Sequence, residues 1–254
     1  MSTVLAGPPG DLCFNKGVQH TGIPAGKAVH IADVPTYLSE AKTSGSGTQK
    51  VILYFPDIHG PFYLNNKLIQ DYFAEAGFNV LGIDYFDGDP IEKHANSANF
   101  DRDAWRNAAR KRAEQWIPKW FDAVKEIYGK DAQYCAVGYC FGAPYALQLA
   151  NGESIVAAAF AHPSSLNEDH FRGVKKPLLM SCAEIDQAFP LESRRRAEDI
   201  LVEIKAKYFI QVFSGVKHGF AVRGDPDIFD ERWAKEESAR GIAAWFTRFT
   251  EEAK

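Results

Sequence analysis

Long apolar runs are missing from this 254-residue sequence: nothing approaches the roughly 18 to 20 uninterrupted apolar residues that a bilayer-spanning helix needs, so no membrane partner is expected. Cysteine is scarce. The four present (Cys13, Cys135, Cys140, Cys182) form no CxxC pair and have no histidine at metal-ligand spacing, which excludes a disulfide framework and gives no metal signature. Met1 to Cys13 lacks the basic stretch and apolar stretch of a secretory leader. A reducing, cytoplasmic location is therefore expected. Basic runs are absent too. The 29 Lys and Arg are scattered among 33 Asp and Glu, the formal net charge is −4, and no stripe could track a phosphate backbone, so nucleic acid is not an expected partner.

What is present is an ordinary globular composition, 46 % hydrophobic and 24 % charged. A chain of this length hides roughly 70 to 75 % of its unfolded surface in one core, so the expectation is one domain over residues 1–254. Residues 1–50 hold short β-favourable pieces, around Phe14 to Gln19, Val29 to Ala32 and Pro35 to Leu38, which read as an antiparallel edge. Ser44 to Thr48 is a flexible connector, and the core spans 51–254. Val51 to Pro56 is nearly all apolar, the mark of a strand covered on both faces. Further strands are expected at Phe78 to Asp84, Tyr134 to Tyr139, Ile155 to Ala161, Pro177 to Cys182 and Tyr208 to Phe213. Helices are expected at Leu64 to Ala76, Asp103 to Tyr128, Ala143 to Ala150, Glu192 to Lys205 and Glu231 to Glu251. Pro118 should divide the second helix, whose apolar face includes Trp105, Ala109, Trp116, Trp120, Val124 and Ile127. Alternating strands and helices give an α/β fold with a mostly parallel central sheet flanked by helices.

Gly138-Tyr-Cys140-Phe-Gly142 lies between an expected buried strand and an expected helix. G-x-C-x-G in that position has the layout of a nucleophile elbow, where a tight turn lifts the middle side chain above the sheet. The helix start favours negative charge on the thiol. A nucleophile also needs an orienting acid and a base, following it in that order. Glu184 and Asp186 come after one strand, and His218 after the next, all at the carboxyl edge of a parallel sheet. His20, His30 and His94 read as surface or turn residues. His59 lies beyond Val51 to Phe55, in the loop that supplies one oxyanion-hole amide in such enzymes. The donors are then the backbone N–H groups of Ile58 and Phe141, with His59 and Tyr85 as pocket residues.

Gly-Tyr-Cys-Phe-Gly, Asp186-Gln-Ala-Phe-Pro and His218-Gly-Phe together resemble the dienelactone hydrolase family, over most of the chain from about Val51 onward. The resemblance implies an α/β-hydrolase fold and a Cys140–His218–Asp186 triad, and it favours Asp186 over Glu184. It implies hydrolysis of a small-molecule ester or lactone, with no cofactor and no metal. The chain departs from the family pattern twice. Asp57 stands where a Glu contacts the thiol, and Asp84-Tyr85-Phe86-Asp87 stands where an Arg grips a substrate carboxylate. Arg223 resembles the family's other carboxylate-binding arginine. The alternatives are a broad carboxylesterase or thioesterase with the same triad, or a non-enzymatic relative in which Cys140 is a redox-responsive thiol.

Overall fold

The computed structural model describes residues 2–14, 18–42, 48–94, 97 and 99–252. The elements in chain order are β1 (Val4–Ala6), α1 (Asp11–Phe14), β2 (Lys27–Ile31), β3 (Val34–Ser39), β4 (Lys50–Phe55), α2 (Leu64–Glu75), β5 (Asn79–Ile83) and α3 (Arg102–Tyr128). They continue with β6 (Gln133–Tyr139), α4 (Ala143–Ala150), β7 (Ala157–Ala161), β8 (Leu166–Asn167), α5 (Glu168–Arg172), β9 (Leu178–Ile185), α6 (Leu191–Glu203), β10 (Tyr208–Lys217), α7 (Phe220–Arg223) and α8 (Phe229–Glu252).

Eight strands form one sheet in the order β10-β9-β7-β6-β4-β5-β3-β2. From β10 to β5 all neighbours are parallel, while β3 and β2 add antiparallel pairs at one edge. Side-chain alternation sends the two faces of each strand into two cores. On β4, Val51, Leu53 and Phe55 pack with Trp105, Ala109, Ala113 and Trp120 of α3; Ile52 and Tyr54 pack on the other face with Ile69 and Phe73 of α2 and Phe246 of α8. Both faces being covered explains why β4 reads as an unbroken apolar run. No helix among the described residues is long and apolar enough to cross a membrane.

The expected strands and helices of the core appear with small shifts at their ends, and β2 and β3 form the expected antiparallel edge. Four expectations fail. The piece from Phe14 to Gln19 is not a strand where it is described: Phe14 ends α1, Val18 and Gln19 are irregular, and 15–17 lie outside the described residues. The additional antiparallel pairing comes from β1, which joins β8 in a separate two-stranded sheet. Pro118 does not divide α3, which runs unbroken for 27 residues. Pro118 and Glu114, whose carbonyl loses its partner, are both exposed, on the face of α3 turned away from the sheet, and burial of Ala113, Ile117, Trp120 and Val124 holds the helix through the lost bond. Ile127, expected on the buried face, is 60 % exposed, because the helix ends against solvent one residue later. His20, read as a surface residue, is buried, with Nε2 2.8 Å from the Gly224 carbonyl.

Candidate active site

Where β6 ends, the chain turns into a single 3₁₀ turn over Cys140–Gly142 and then into α4. Cys140 holds φ +48, a left-handed conformation that non-glycine residues adopt only when their surroundings enforce it. Those surroundings are close backbone contacts on both sides. A Cβ on Gly138 would lie 2.4 Å from the Gly142 carbonyl oxygen, and one on Gly142 only 2.1 Å from that of Phe55. Only glycine fits either place. The elbow inferred from G-x-C-x-G is present, and it lifts the Cys140 thiol toward the loops at the carboxyl edge.

Two of those loops meet it. His218, just past β10, sets Nε2 3.2 Å from Cys140 Sγ, and its Nδ1 lies 2.9 Å from both oxygens of Asp186, just past β9. Asp186 is itself fixed, with Oδ1 accepting from the backbone N–H groups of Ala188 (2.9 Å) and Phe189 (3.0 Å). All three groups are buried, Cys140 to 1 % exposure. Glu184 is turned outward, where its carboxylate accepts from Ser214 and the Gly215 N–H.

Burial pushes the Cys140 thiol up, the neighbouring Cys13 adds to this, and His218 opposes it. At His218 burial lowers the value, but a Cys140 thiolate and the Asp186 carboxylate outweigh it and raise the imidazole to about 10. Both shifts describe one proton shared between Sγ and Nε2. Out of water a neutral thiol beside a neutral imidazole costs less than the ion pair, so burial decides the resting form.

Asp57 and Arg223, expected as a thiol contact and a carboxylate grip, are directed at each other. Arg223 Nη1 donates to Asp57 Oδ2 at 2.5 Å, both groups are buried, and Asp57 Oδ1 accepts from Asn66 Nδ2 at 2.9 Å and from the His59 N–H. The pair ties the loop after β4 to α7, the segment following His218. Arg223 Nη2 also reaches the Leu12 carbonyl of α1 at 3.4 Å. Ile58 is fully buried, and its N–H has no acceptor among the described residues. The Phe141 N–H opens the helical turn, where amides have no intrahelical acceptor. Tyr85 donates its hydroxyl to the Pro56 carbonyl and packs on Phe141 with ring centres 5.2 Å apart. The His59 Nδ1 pairs with the Glu92 carboxylate, and its ring lies 4.8 Å from that of Tyr63.

Two residues of the site carry no local sequence signal. Cys13 of α1 sets its sulfur 3.5 Å from Cys140 Sγ, burying the thiol from above. His162, one residue past β7 at φ +34, meets the His218 ring edge-on with centres 5.0 Å apart; it is fully buried and neither ring nitrogen has a partner among the described residues. Burial, with His218 and Arg223 nearby, pushes the His162 imidazole well below its ordinary value. A cavity of about 150 Å³ adjoins the site, lined among others by Leu12, His218, Phe220 and Arg223.

This arrangement, a strained cysteine on an elbow backed by His and Asp from the next two strand ends, matches what comparison with known proteins finds. The model of the dienelactone hydrolase family matches residues 34–250. The chain belongs to the dienelactone hydrolase family. It is 38 % identical over 247 residues to Dienlactone hydrolase 1 of Gibberella moniliformis, covering 93 % of each chain. With Hydrolase tropI of Talaromyces stipitatus it shares 32 % identity, over 98 % of this chain and 100 % of the relative. Among solved structures, a dienelactone hydrolase from Anabaena variabilis superposes with a TM-score of 0.59 at 16 % identity, over 91 % of this chain and 99 % of that one, a likeness of fold. As a dienelactone hydrolase family member the protein is a hydrolase of the carboxylic ester and lactone class.

Proposed function

We propose that the protein opens a small ester or lactone through Cys140 as nucleophile, with His218 as base and then acid, and Asp186 as the group that orients His218. The observation that carries this is the continuous relay from Cys140 Sγ through both His218 nitrogens to a carboxylate locked by two backbone amides. As sulfur attacks the carbonyl carbon, its proton passes to His218 Nε2, and the growing oxyanion accepts from the Ile58 and Phe141 N–H groups. Collapse breaks the C–O bond. His218 returns the proton to the leaving oxygen, leaving a thioester on Cys140. Water then gives its proton to His218, attacks the thioester and releases the acid. No residue in this scheme calls for a cofactor or metal.

The substrate class follows from what the arginine is doing. Arg223 already has a carboxylate partner in Asp57, and the segment after β5 adds Asp87 and Asp89. An anionic substrate would have to compete with Asp57 for that guanidinium, so neutral lactones and aryl esters should be turned over better than a carboxylate-bearing dienelactone. The names of the curated relatives put lactones first in the trial. Four free, buried cysteines are consistent with the cytoplasm as its place.

A panel of neutral lactones, aryl esters, thioesters and a dienelactone, run on wild type and Cys140→Ala in parallel, tests the scheme. The wild type should turn over neutral esters and the alanine variant none. Equal turnover by both proteins would remove Cys140 from the chemistry.

A further inference from the structure

Cys13 has no task in the hydrolysis, yet it brings a second sulfur 3.5 Å from the nucleophile, to one side of a sulfur that already sits 3.2 Å from an imidazole nitrogen. We propose that Cys13, Cys140 and His218 form a binding site for a soft divalent cation, zinc being the ion, and that its occupancy switches the hydrolase off.

The geometry is the argument. A tetrahedral zinc with bonds of about 2.3 Å to sulfur and about 2.0 Å to nitrogen separates its ligands by roughly 3.8 Å (S to S) and roughly 3.5 Å (S to N). The corresponding separations here are 3.5 and 3.2 Å, and all three ligand atoms lie within 4.8 Å of one another. Two of the three separations need shifts of a few tenths of an ångström, and the third, Cys13 Sγ to His218 Nε2, lies within 4.8 Å and has to close by at most about 1.3 Å. The outer shell is also built. Asp186 holds Nδ1 of His218, which aims the Nε2 lone pair at the sulfurs, the carboxylate–histidine arrangement of zinc sites. Three protein ligands leave a fourth position for water.

The balance is simple. The empty site holds two protons, one on Cys13 and one shared by Cys140 and His218. Binding releases both, forms two Zn–S bonds and one Zn–N bond, and changes no oxidation state. Two thiolates neutralise the ion. The sulfur electron pair and the imidazole lone pair needed for hydrolysis are then both occupied. The thiol is 1 % exposed with Cys13 of α1, one short turn preceded by Gly7-Pro-Pro-Gly10, packed against it, so ion and substrate alike need this cover to yield. The inhibition rests on the hydrolase reading; the binding does not.

Cobalt(II), then zinc(II), titrated into the full chain under reducing, chelator-buffered conditions tests both parts. One equivalent of cobalt should give the sulfur-to-cobalt charge-transfer absorption of two thiolates, and zinc should remove it. Zinc should abolish ester turnover reversibly, and its apparent affinity should rise by up to about 100-fold per pH unit while both released protons are bound in the free protein. Cys13→Ser should keep turnover within about threefold of wild type, halve the absorption and require at least tenfold more zinc for inhibition. If that variant does not fold, zinc should still protect both Cys13 and Cys140 of the wild type from alkylation, read by mass spectrometry. Absence of the absorption, a Cys13→Ser titration matching wild type, or unprotected Cys13 would overturn the site. A full absorption in a protein that hydrolyses no ester would retain the site and sink the hydrolytic reading instead.

Discussion

Asp186→Asn separates orientation from burial, because the substitution keeps the shape and changes one donor. In the native site Oδ1 accepts from two fixed backbone amides, Ala188 and Phe189, and both carboxylate oxygens face Nδ1 of His218 at 2.9 Å. Those amides can only donate, so the asparagine must offer them its oxygen. Its NH₂ is left facing Nδ1. The imidazole then presents a lone pair at Nδ1 and carries its proton on Nε2, pointing at Cys140 Sγ, where it cannot receive the thiol proton. The same exchange in a serine triad costs about 10⁴ in kcat. A thiol is more acidic and depends less on its base, so the expected loss is about 10³, or about 4 kcal/mol of transition-state stabilisation. KM should change little, since Asp186 is buried behind His218 and away from the bound carbonyl. The pH profile should move as well. Burial lowers the His218 value, and the Cys140 thiolate and Asp186 raise it to about 10. That raised value belongs to the imidazolium facing a thiolate, so it is loss of the one proton that Cys140 and His218 share that ends turnover on the alkaline side of the wild-type profile. Without the carboxylate this limb should shift to lower pH. Release of nitrophenol from a neutral aryl ester, followed across neutral and alkaline pH in both proteins with thermal unfolding as a folding control, measures each quantity. An asparagine variant within tenfold of wild type, with its alkaline limb unmoved, would refute Asp186 as the orienting group.

Three further outcomes follow from packing and charge. Gly142→Ala should abolish turnover and destabilise the fold by about 3 kcal/mol in urea, because its Cβ would meet the Phe55 carbonyl oxygen at 2.1 Å and its carbon at 2.6 Å, backbone that cannot swing aside; Gly10→Ala, with open space around it, should stay within about 0.5 kcal/mol. Arg223→Ala should cost about 3–5 kcal/mol by leaving the buried Asp57 without its cation, and Asp57→Asn combined with Arg223→Met should recover most of that loss; a harmless single variant would mean that Asp57 is neutral already. His162, held below its ordinary value by burial, takes up a proton on unfolding but not when folded, so it makes stability fall as pH drops below 6.5, by about 1.4 kcal/mol per pH unit for one proton. His162→Leu should remove one proton's worth of that slope in urea titrations at stepped pH, and an unchanged slope would show that His162 is charged in the native state.

What the sequence disclosed of the fold and site, and what it hid, divides by the range of the force involved. The strands of the core were legible because a sheet covered on both faces demands apolar residues at consecutive positions, as at Val51 to Phe55, and the elbow was legible because a Cβ at 138 or 142 would collide with backbone. Both constraints leave their mark within a few consecutive residues, even where the contact itself is distant, as that of Gly142 with Phe55 is. Pro118 misled because its local cost was real but was outweighed by the burial of a 27-residue helix on the sheet, a term that no window of sequence contains. Cys13 lies 127 residues from Cys140 and Asp57 lies 166 from Arg223, and in each case the residue type alone fits several environments. A lone cysteine in a Gly/Pro-rich segment has the composition of a loose tail, and an arginine after the base reads equally as an anion clamp or as half of an ion pair. The backbone-dictated part of the site therefore specifies the chemistry, nucleophile and base in order. The part assembled from distant residues carries the two proposals: the guanidinium neutralised by Asp57 bears on which acyl groups would be admitted, and the second sulfur beside the first on what could occupy the thiol in their place. Two members of one family can thus share the whole legible motif and still differ in substrate and control.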